Sequence, residues 1–185
     1  AHILSGELFV ALPGSNLGPV LTSAEHLKLA ISQLDKAIAL SKDKNEIAAC
    51  TLLKARAYYA LGDVTNAAAF AGTATGNNTL LRQVKYDGIN GVTNDMQTFL
   101  FSSTNNEFAP LPRLDFLDPK YFHTGLPASD QKPVTIVKAE EGFLIMAEAQ
   151  IAAGETGNAR NTLLQLLSVV NNRPVVMVDD KTETR

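Results

Sequence analysis

The chain has 185 residues, of which 45% are hydrophobic and 19% are charged, and its net charge is −3 at pH 7. This length and composition are typical of a globular domain with one sizeable core. The slightly acidic balance lacks the basic patch that nucleic-acid-binding proteins usually carry, so we expect no nucleic-acid partner. No apolar run approaches the ~20 residues that a helix needs to span a bilayer.

The first segment, residues 1–21, is apolar but interrupted by proline and glycine, which predicts a short helix or strand that leads into a loop. The sequence Thr-Ser-Ala-Glu that begins at Thr22 predicts a capping box. The Thr22 hydroxyl and the Glu25 carboxylate can satisfy the first free amides of a helix. Apolar residues follow at helical spacing from Leu27 to Ile38, so we expect the first long helix to begin at Thr22.

Two further helices are predicted to follow directly. Asn45 is the predicted cap of a helix over residues 46–61, which ends at Gly62. Asp63 is the predicted cap of the next helix, over residues 63–75.

Residues 76–133 differ in character from the segments on either side. They contain five of the eight prolines of the chain and several Asn-Gly, Asp-Gly and Asn-Asn pairs, all of which favour turns. Several phenylalanines and tyrosines in the same segment argue against disorder. We therefore expect a loop-rich insertion here, between a first helical repeat region, 22–75, and a second helical hairpin, 134–172.

The second hairpin is predicted to contain one helix from near Pro133 to about Ala153 and another from about Thr156 to Val170. The first of these helices carries three glutamates, which we interpret as a solvated face rather than an acid–base pair. They are Glu140, Glu141 and Glu148.

The same pattern of small residues occurs in both helical regions, 92 residues apart. The first copy has Ala55, Gly62 and Ala67, and the second has Ala147, Gly154 and Ala159. A small residue lets a second helix approach closely, the glycine turns the chain, and the second alanine lies against the first helix. This pattern is typical of a tetratricopeptide-type hairpin. The predicted fold is all-α, with tetratricopeptide-like helical hairpins and a long irregular loop insertion.

The sequence offers few catalytic or metal-binding motifs. Its three histidines are scattered, and it has no paired cysteines or phosphate-binding loop, so we expect no cofactor and no metal. Asp87–Asp95 has oxygen ligands that could suit calcium, but it lacks EF-hand spacing, and an ordinary turn is the preferred interpretation. Cys50 lies on an apolar helical stretch, where we expect a buried, inert thiol. A hydrolase would need convergent carboxylates, which the sequence does not reveal, so we expect no enzyme.

The insertion is the one segment with binding character. Aromatic rings beside Asn, Asp and Arg can stack on sugar faces while the polar groups bind hydroxyls. The candidate ligand-binding residues are Phe101, Asn105, Asn106, Phe108 and Arg113. The alternative is that the rings fill the gap between the two helical regions, and the sequence leaves both interpretations open.

The second hairpin resembles a stretch of the SusD/RagB family. Ala139-Glu140 and Ala147-Glu148-Ala149 match the two Ala-Glu steps of that stretch, and Asn172-Arg173 matches its Asn-Arg ending. The segment from Pro112 to Phe122 is similar to the Asp-Pro-Arg segment that precedes it, and the sequence around Gly62 resembles an earlier repeat. The resemblance covers most of residues 20–175.

This resemblance implies a non-catalytic outer-membrane lipoprotein of Bacteroidetes that captures glycans or other nutrients. Such a protein is surface-facing and lipid-anchored, and it works with a TonB-dependent, SusC-like transporter. The expected ligand is an oligosaccharide, with a peptide as a further possibility. Since the chain opens without a signal peptide or a lipidated cysteine, we expect it to be a piece of a longer protein. The alternative is a free-standing tetratricopeptide-type scaffold that binds other proteins through a concave groove.

Overall fold

The computed structural model describes residues 2–8, 11–13, 18–86 and 131–174. In these ranges the helices are α1 (His2–Leu8), α2 (Ser23–Leu40), α3 (Lys44–Ala60), α4 (Val64–Thr75), α5 (Ala139–Ala152) and α6 (Thr156–Asn171). The strands are β1 (Ala11–Pro13), β2 (Val20–Thr22), β3 (Leu81–Tyr86) and β4 (Gln131–Lys138). Most of the described chain is helical, so the all-α prediction is confirmed at that level. None of the described helices is both long and apolar enough to cross a membrane.

The chain divides into two compact units. The first comprises Ala1–Arg82 and Val137–Arg173, and the second comprises Gln83–Ile136 and Pro174–Arg185. All of the described helices belong to the first unit. The described part of the second unit contains residues 83–86 of β3 and 131–136 of β4, and these two strands pair with each other.

Helix α2 begins as predicted. The backbone N–H of Glu25 donates to the Thr22 hydroxyl, and the Thr22 N–H donates to the Glu25 carboxylate at 2.7 Å. This reciprocal capping box satisfies two amides that the helix itself cannot pair. On the same helix, His26 is almost fully buried, and its Nδ1 lies 3.0 Å from Nδ1 of His2 on α1. The short strands β1 and β2 pair antiparallel between these two helices.

The predicted cap of α3 is wrong. The helix begins at Lys44, and its cap is Asp43, whose carboxylate accepts a hydrogen bond from the backbone N–H of Asn45 at 2.8 Å. The side chain of Asn45 instead accepts a hydrogen bond from Asn77. The cap of α4 is confirmed, because the Asp63 carboxylate accepts from the backbone N–H of its third following residue.

Helices α3 and α4 pack against each other, and so do α5 and α6, each pair joined by a tight three-residue turn. Both turns contain a glycine at the same left-handed conformation, Gly62 and Gly154, each with φ of 78°. The small residues that the sequence pattern singles out are almost fully buried in both pairs: Ala55, Ala67, Ala147 and Ala159. The first unit therefore contains two helix pairs with the same features, a glycine at positive φ in the turn and buried alanines in the helices.

Replacing Gly62 or Gly154 by alanine is expected to lower the free energy of unfolding by about 1–2 kcal/mol, because an L-residue is strained at positive φ. A Cβ at either position would meet no heavy atom within 4 Å, so backbone strain is the only cost. Gly157→Ala is the control, since it also has open space but is the second residue of α6 and has no positive φ, so alanine should not destabilise it. Urea denaturation followed by circular dichroism measures all three. A Gly62→Ala variant as stable as the parent would contradict this account of the turn.

The core of the first unit lies where α3, α4 and α5 meet. Its members include Leu52, Ala71 and Phe143, one from each of these helices. Lys54 is also buried at this junction; its ammonium group contacts Asp35 on α2 at 2.5 Å and lies 4.0 Å from the ring centroid of Phe70. The ion pair and the cation–π contact together replace the hydration that this buried charge loses.

The predicted helix start near Pro133 is wrong. Residues 131–138 form strand β4, and α5 begins only at Ala139. Four consecutive β-branched residues, Val134 to Val137, favour the extended conformation because their side chains are crowded in a helix. Val137 is almost fully buried. The described ends of the predicted insertion, 76–133, thus contain strand as well as loop.

Candidate functional site

A cleft of about 330 Å³ opens in the first unit beside α3 and α5. Residues of three helices line it: Glu7 from α1, Arg56 and Tyr59 from α3, and Glu141, Leu144, Ile145 and Glu148 from α5. The positions on α3 are three residues apart, and those on α5 fall at spacings of three, four and seven. Such spacings place side chains on one face of a helix.

The centre of the cleft is an ion pair between α3 and α5. Nε and Nη2 of Arg56 donate to the two carboxylate oxygens of Glu141, with 2.5 Å between Nε and Oε1. The hydrogen bond to Glu141 is the largest cause of the raised pKa of Arg56, while partial burial opposes it. A bidentate pair of this kind holds both side chains in one orientation. Glu141 is therefore a fixed carboxylate on the wall of the cleft.

Glu7 of α1 also lines the cleft. Loss of hydration raises its pKa, the positive charge of Arg56 opposes this effect, and the negative charge of Glu141 adds to it. The three charged groups thus interact through the cleft. A carboxyl group with a raised pKa is a common component of functional sites.

Tyr59 and Glu148 also line the cleft. The Tyr59 hydroxyl donates to Oε2 of Glu148 at 2.8 Å. This hydrogen bond raises the pKa of Tyr59, and the negative charge of Glu148 raises it further. The contact links helices whose residues are 89 positions apart in the chain.

Replacing Glu148 by glutamine is expected to lower the pKa of Tyr59 toward its ordinary value, because the negative hydrogen-bond acceptor is removed. NMR of ¹³C-labelled tyrosine during an alkaline titration measures this pKa. The Tyr59→Phe variant identifies the signal that belongs to Tyr59. Glu155→Gln, at an exposed glutamate in the turn before α6, is the matched control and should leave the signal unchanged. An unchanged pKa in Glu148→Gln would contradict the hydrogen bond.

The cleft offers carboxylate oxygens beside an apolar wall formed by Leu144 and Ile145. This combination suits a ligand that carries hydrogen-bond donors or a positive charge next to an apolar part. Glu141 and Glu148 already accept hydrogen bonds from Arg56 and Tyr59. Within the described ranges, no group of three or more histidine, cysteine, aspartate or glutamate side chains is arranged to hold a metal ion.

A second polar cluster lies near the start of α5. Nε and Nη2 of Arg173 donate to the two oxygens of Glu140 at 3.0 and 2.8 Å. Arg173 also donates to the backbone carbonyls of Thr79 and Leu80. Burial pushes the pKa of Glu140 upward, but the hydrogen bonds from Arg173 and from the backbone outweigh it, so the pKa is below its usual range. This cluster joins the end of α6 to the start of α5 and to the segment after α4.

The interpretation of the α5 glutamates as a solvated face is wrong for Glu140, which is buried, whereas Glu148 is exposed and Glu141 is half-buried. Glu140 is buried with Arg173, Glu141 pairs with Arg56, and Glu148 accepts from Tyr59. Each partner lies far away in the sequence, which is why helical spacing alone did not reveal these contacts. The structure joins each of these glutamates to an arginine or tyrosine that the sequence analysis did not connect with it.

The sequence-predicted ligand residues Phe101, Asn105, Asn106, Phe108 and Arg113 lie outside the described residues. The possible calcium segment, 87–95, lies outside them as well.

Cys50 is partly buried rather than fully buried. Loss of hydration is the largest cause of its raised pKa, and the negative charge of Glu46 adds to it. A raised pKa leaves less thiolate at neutral pH, which agrees with the expected inert thiol.

Comparison of the chain with protein-family models, curated proteins and solved structures finds no match.

Proposed function

We propose that the chain is the helical part of a SusD/RagB-like protein that binds nutrients without chemistry. In this proposal it captures an oligosaccharide, or a peptide, at the surface of the outer membrane. A lipid anchor in the full-length protein holds it there, and a TonB-dependent, SusC-like transporter receives the ligand.

The observation that carries the proposal is the contact between Glu140 and Arg173. These residues belong to the Ala-Glu and Asn-Arg motifs on which the resemblance to the family rests. The two motifs are separate in sequence, yet their charged members form a bidentate pair in the first unit. Motifs that depend on each other structurally are expected to occur together, as they do in the family pattern.

The repeated hairpins support the finer part of the proposal, a tetratricopeptide-like arrangement. Each hairpin has a glycine at φ of 78° in its turn and buried alanines where its helices meet. Asn66 and Asn158, also 92 positions apart, both donate from the side chain to the acidic residue at the start of the second helix. A rigid scaffold of this kind commonly holds binding loops in position.

Calorimetric titration of the chain with oligosaccharides from starch, xylan, mannan and inulin, and with a mixed peptide panel, tests this proposal. We expect saturable binding to at least one of these ligands. Phe101→Ala and Phe108→Ala should each weaken it about tenfold, the value of one aromatic stacking contact. Leu40→Ala, at an exposed leucine on α2, is the control and should bind like the parent. A chain that binds none of these ligands would overturn the proposal.

The second candidate function is a protein-interaction scaffold of the tetratricopeptide type. The cleft beside α3 and α5 favours it, because its carboxylates and apolar wall suit a peptide with a basic and an apolar side chain. Fluorescence anisotropy with a library of labelled Lys- and Arg-containing peptides distinguishes the two functions. Under this alternative, Glu148→Gln weakens peptide binding and added salt weakens it further. Under the nutrient-binding proposal, Glu148→Gln leaves oligosaccharide binding unchanged.

A further inference from the structure

An apolar groove of about 430 Å³ runs along the outer face of α6 in the first unit. Three leucines, Leu163, Leu164 and Leu167, form its floor with exposures of 38%, 48% and 56%. Ile151 at the end of α5 continues it and is 56% exposed. Single exposed apolar residues are ordinary on protein surfaces, but three leucines and an isoleucine in one groove form a continuous apolar patch.

The first hairpin contains the face that corresponds to this groove. At the offset of 92 residues that relates the two hairpins, Leu163, Leu164 and Leu167 correspond to Ala71, Gly72 and Thr75 on α4.

That face of α4 is not exposed to solvent, because α5 packs across it. A Cβ built on Gly142 of α5 would lie 3.4 Å from the Ala71 carbonyl oxygen and 2.7 Å from the Thr75 side chain. Met146, one turn further along α5, faces Gly72 and has its sulfur 3.6 Å from the Thr75 hydroxyl. The face that carries a helix in the first hairpin is thus the face that forms an open groove in the second.

We propose that the groove on α6 binds an amphipathic α-helix from a partner protein, which lies across α6 as α5 lies across α4. The side chains on the two faces differ in size, because the α6 face has leucines where the α4 face has the smaller Ala71, Gly72 and Thr75. The bound helix therefore presents small residues, such as alanine and glycine, where α5 presents Met146. Helix binding in an apolar groove through residues at i, i+3, i+4 and i+7 is a recurrent mode of peptide recognition.

The charge at the groove defines the partner further. Arg160 is the one charged residue among those that line it, and in the described residues it makes no ion pair. A guanidinium without an ion-pair partner beside an apolar floor favours a carboxylate next to the apolar face of the bound helix. The partner helix accordingly carries an aspartate or glutamate beside its small apolar residues.

Two stapled peptides built on the α5 sequence, residues 139–152, are the probes. Peptide S has Met146 replaced by alanine, and a scrambled version of the same composition is the control peptide. Fluorescence anisotropy with the whole chain should give saturable binding of peptide S, with binding at least about tenfold weaker for the scrambled peptide.

Leu164→Lys and Leu167→Lys should each reduce the affinity for peptide S about tenfold or more. Arg160→Ala should reduce it about threefold and make it less sensitive to salt.

Leu40→Lys is the matched control variant, because Leu40 is a leucine on α2 that is 83% exposed and outside the groove. It should bind peptide S like the parent, and circular dichroism with thermal melting should show that all variants fold alike. Binding that Leu164→Lys leaves unchanged would overturn the proposal. Sedimentation velocity and flotation with anionic lipid vesicles test the other occupants. A dimer or a vesicle-bound form that Leu164→Lys abolishes, without specific binding of peptide S, would assign the groove to a second copy or to lipid and overturn it as well.

Discussion

Replacing Arg173 by methionine is expected to lower the free energy of unfolding by about 2–4 kcal/mol, because it leaves the Glu140 carboxylate without its partner. The side chain of Glu140 is 9% exposed and that of Arg173 is 22% exposed, so water replaces little of the lost interaction. Methionine retains much of the aliphatic volume of arginine, so the loss comes mainly from charge and hydrogen bonds. Urea denaturation followed by circular dichroism measures the difference.

The control is a second arginine–glutamate pair of similar distance. Arg82 and Glu46 lie 3.0 Å apart, but their side chains are 55% and 39% exposed. Arg82→Met should therefore cost less than about 1 kcal/mol, as is usual for ion pairs in contact with solvent. Equal losses in the two variants would show that the burial of Glu140 has no energetic consequence.

The same ion pair makes the stability depend on pH. The pKa of Glu140 is lower in the folded chain than its ordinary value of 4.5, so the unfolded chain binds a proton more readily. The contribution of the pair is complete above the unfolded pKa and is lost as the pH falls through the folded pKa. The stability difference between the parent and Glu140→Gln should accordingly shrink when urea denaturation is repeated from pH 7 down to pH values below the ordinary pKa. A constant difference would contradict a lowered pKa.

Gly142→Ala is expected to destabilise the chain by about 1–3 kcal/mol, although alanine is the better helix former. A Cβ at this position of α5 would lie 2.7 Å from Cγ2 of Thr75 and 3.2 Å from Cδ1 of Leu52. Both distances are shorter than ordinary van der Waals contact, so α4 and α5 must separate or rearrange. Thermal and urea unfolding both measure the effect.

Gly72→Ala is the matched control, because Gly72 lies in α4 on the other side of the same interface. A Cβ there would meet only Met146, with its sulfur at 3.8 Å, which is an ordinary contact. This variant should be stabilised by about 0.5–1 kcal/mol through helix propensity alone. If both variants shifted stability in the same direction, the close approach of the helices at Gly142 would be wrong.

Local signals in the sequence predicted the helices and most of their ends. The capping box at Thr22 and the cap at Asp63 depend on residues within one turn of each other, so the sequence contains all their parts. The glycines at the two turns are equally local, since only their own backbone requires positive φ. The cap of α3 is Asp43, two residues before the predicted Asn45; aspartate and asparagine are equally good cap residues, so residue type alone does not choose between them.

The strand at 131–138 was missed because the helical pattern after Ala139 was extended backward through Pro133. The β-branched run from Val134 to Val137 was the available signal, and its extended preference prevails.

The polar contacts of the cleft could not be predicted from spacing. Arg56 and Glu141 are 85 residues apart, and Tyr59 and Glu148 are 89 apart, so their contact depends on how the two hairpins pack. Glu140 left a partial signal, since it shares a helical face with the buried Phe143. A glutamate on an apolar face requires a partner, but the sequence did not identify Arg173 as that partner.

One carbonyl oxygen holds together the two places where the chain leaves and re-enters the first unit. The Leu80 carbonyl accepts from the backbone N–H of Ala139 at 3.0 Å and from Nη2 of Arg173 at 2.8 Å. Groups of the first unit therefore hold the end of one chain segment, at Leu80, beside the start of the next, at Ala139. We therefore expect the first unit to keep these contacts when residues 83–136 are replaced by another hairpin or loop.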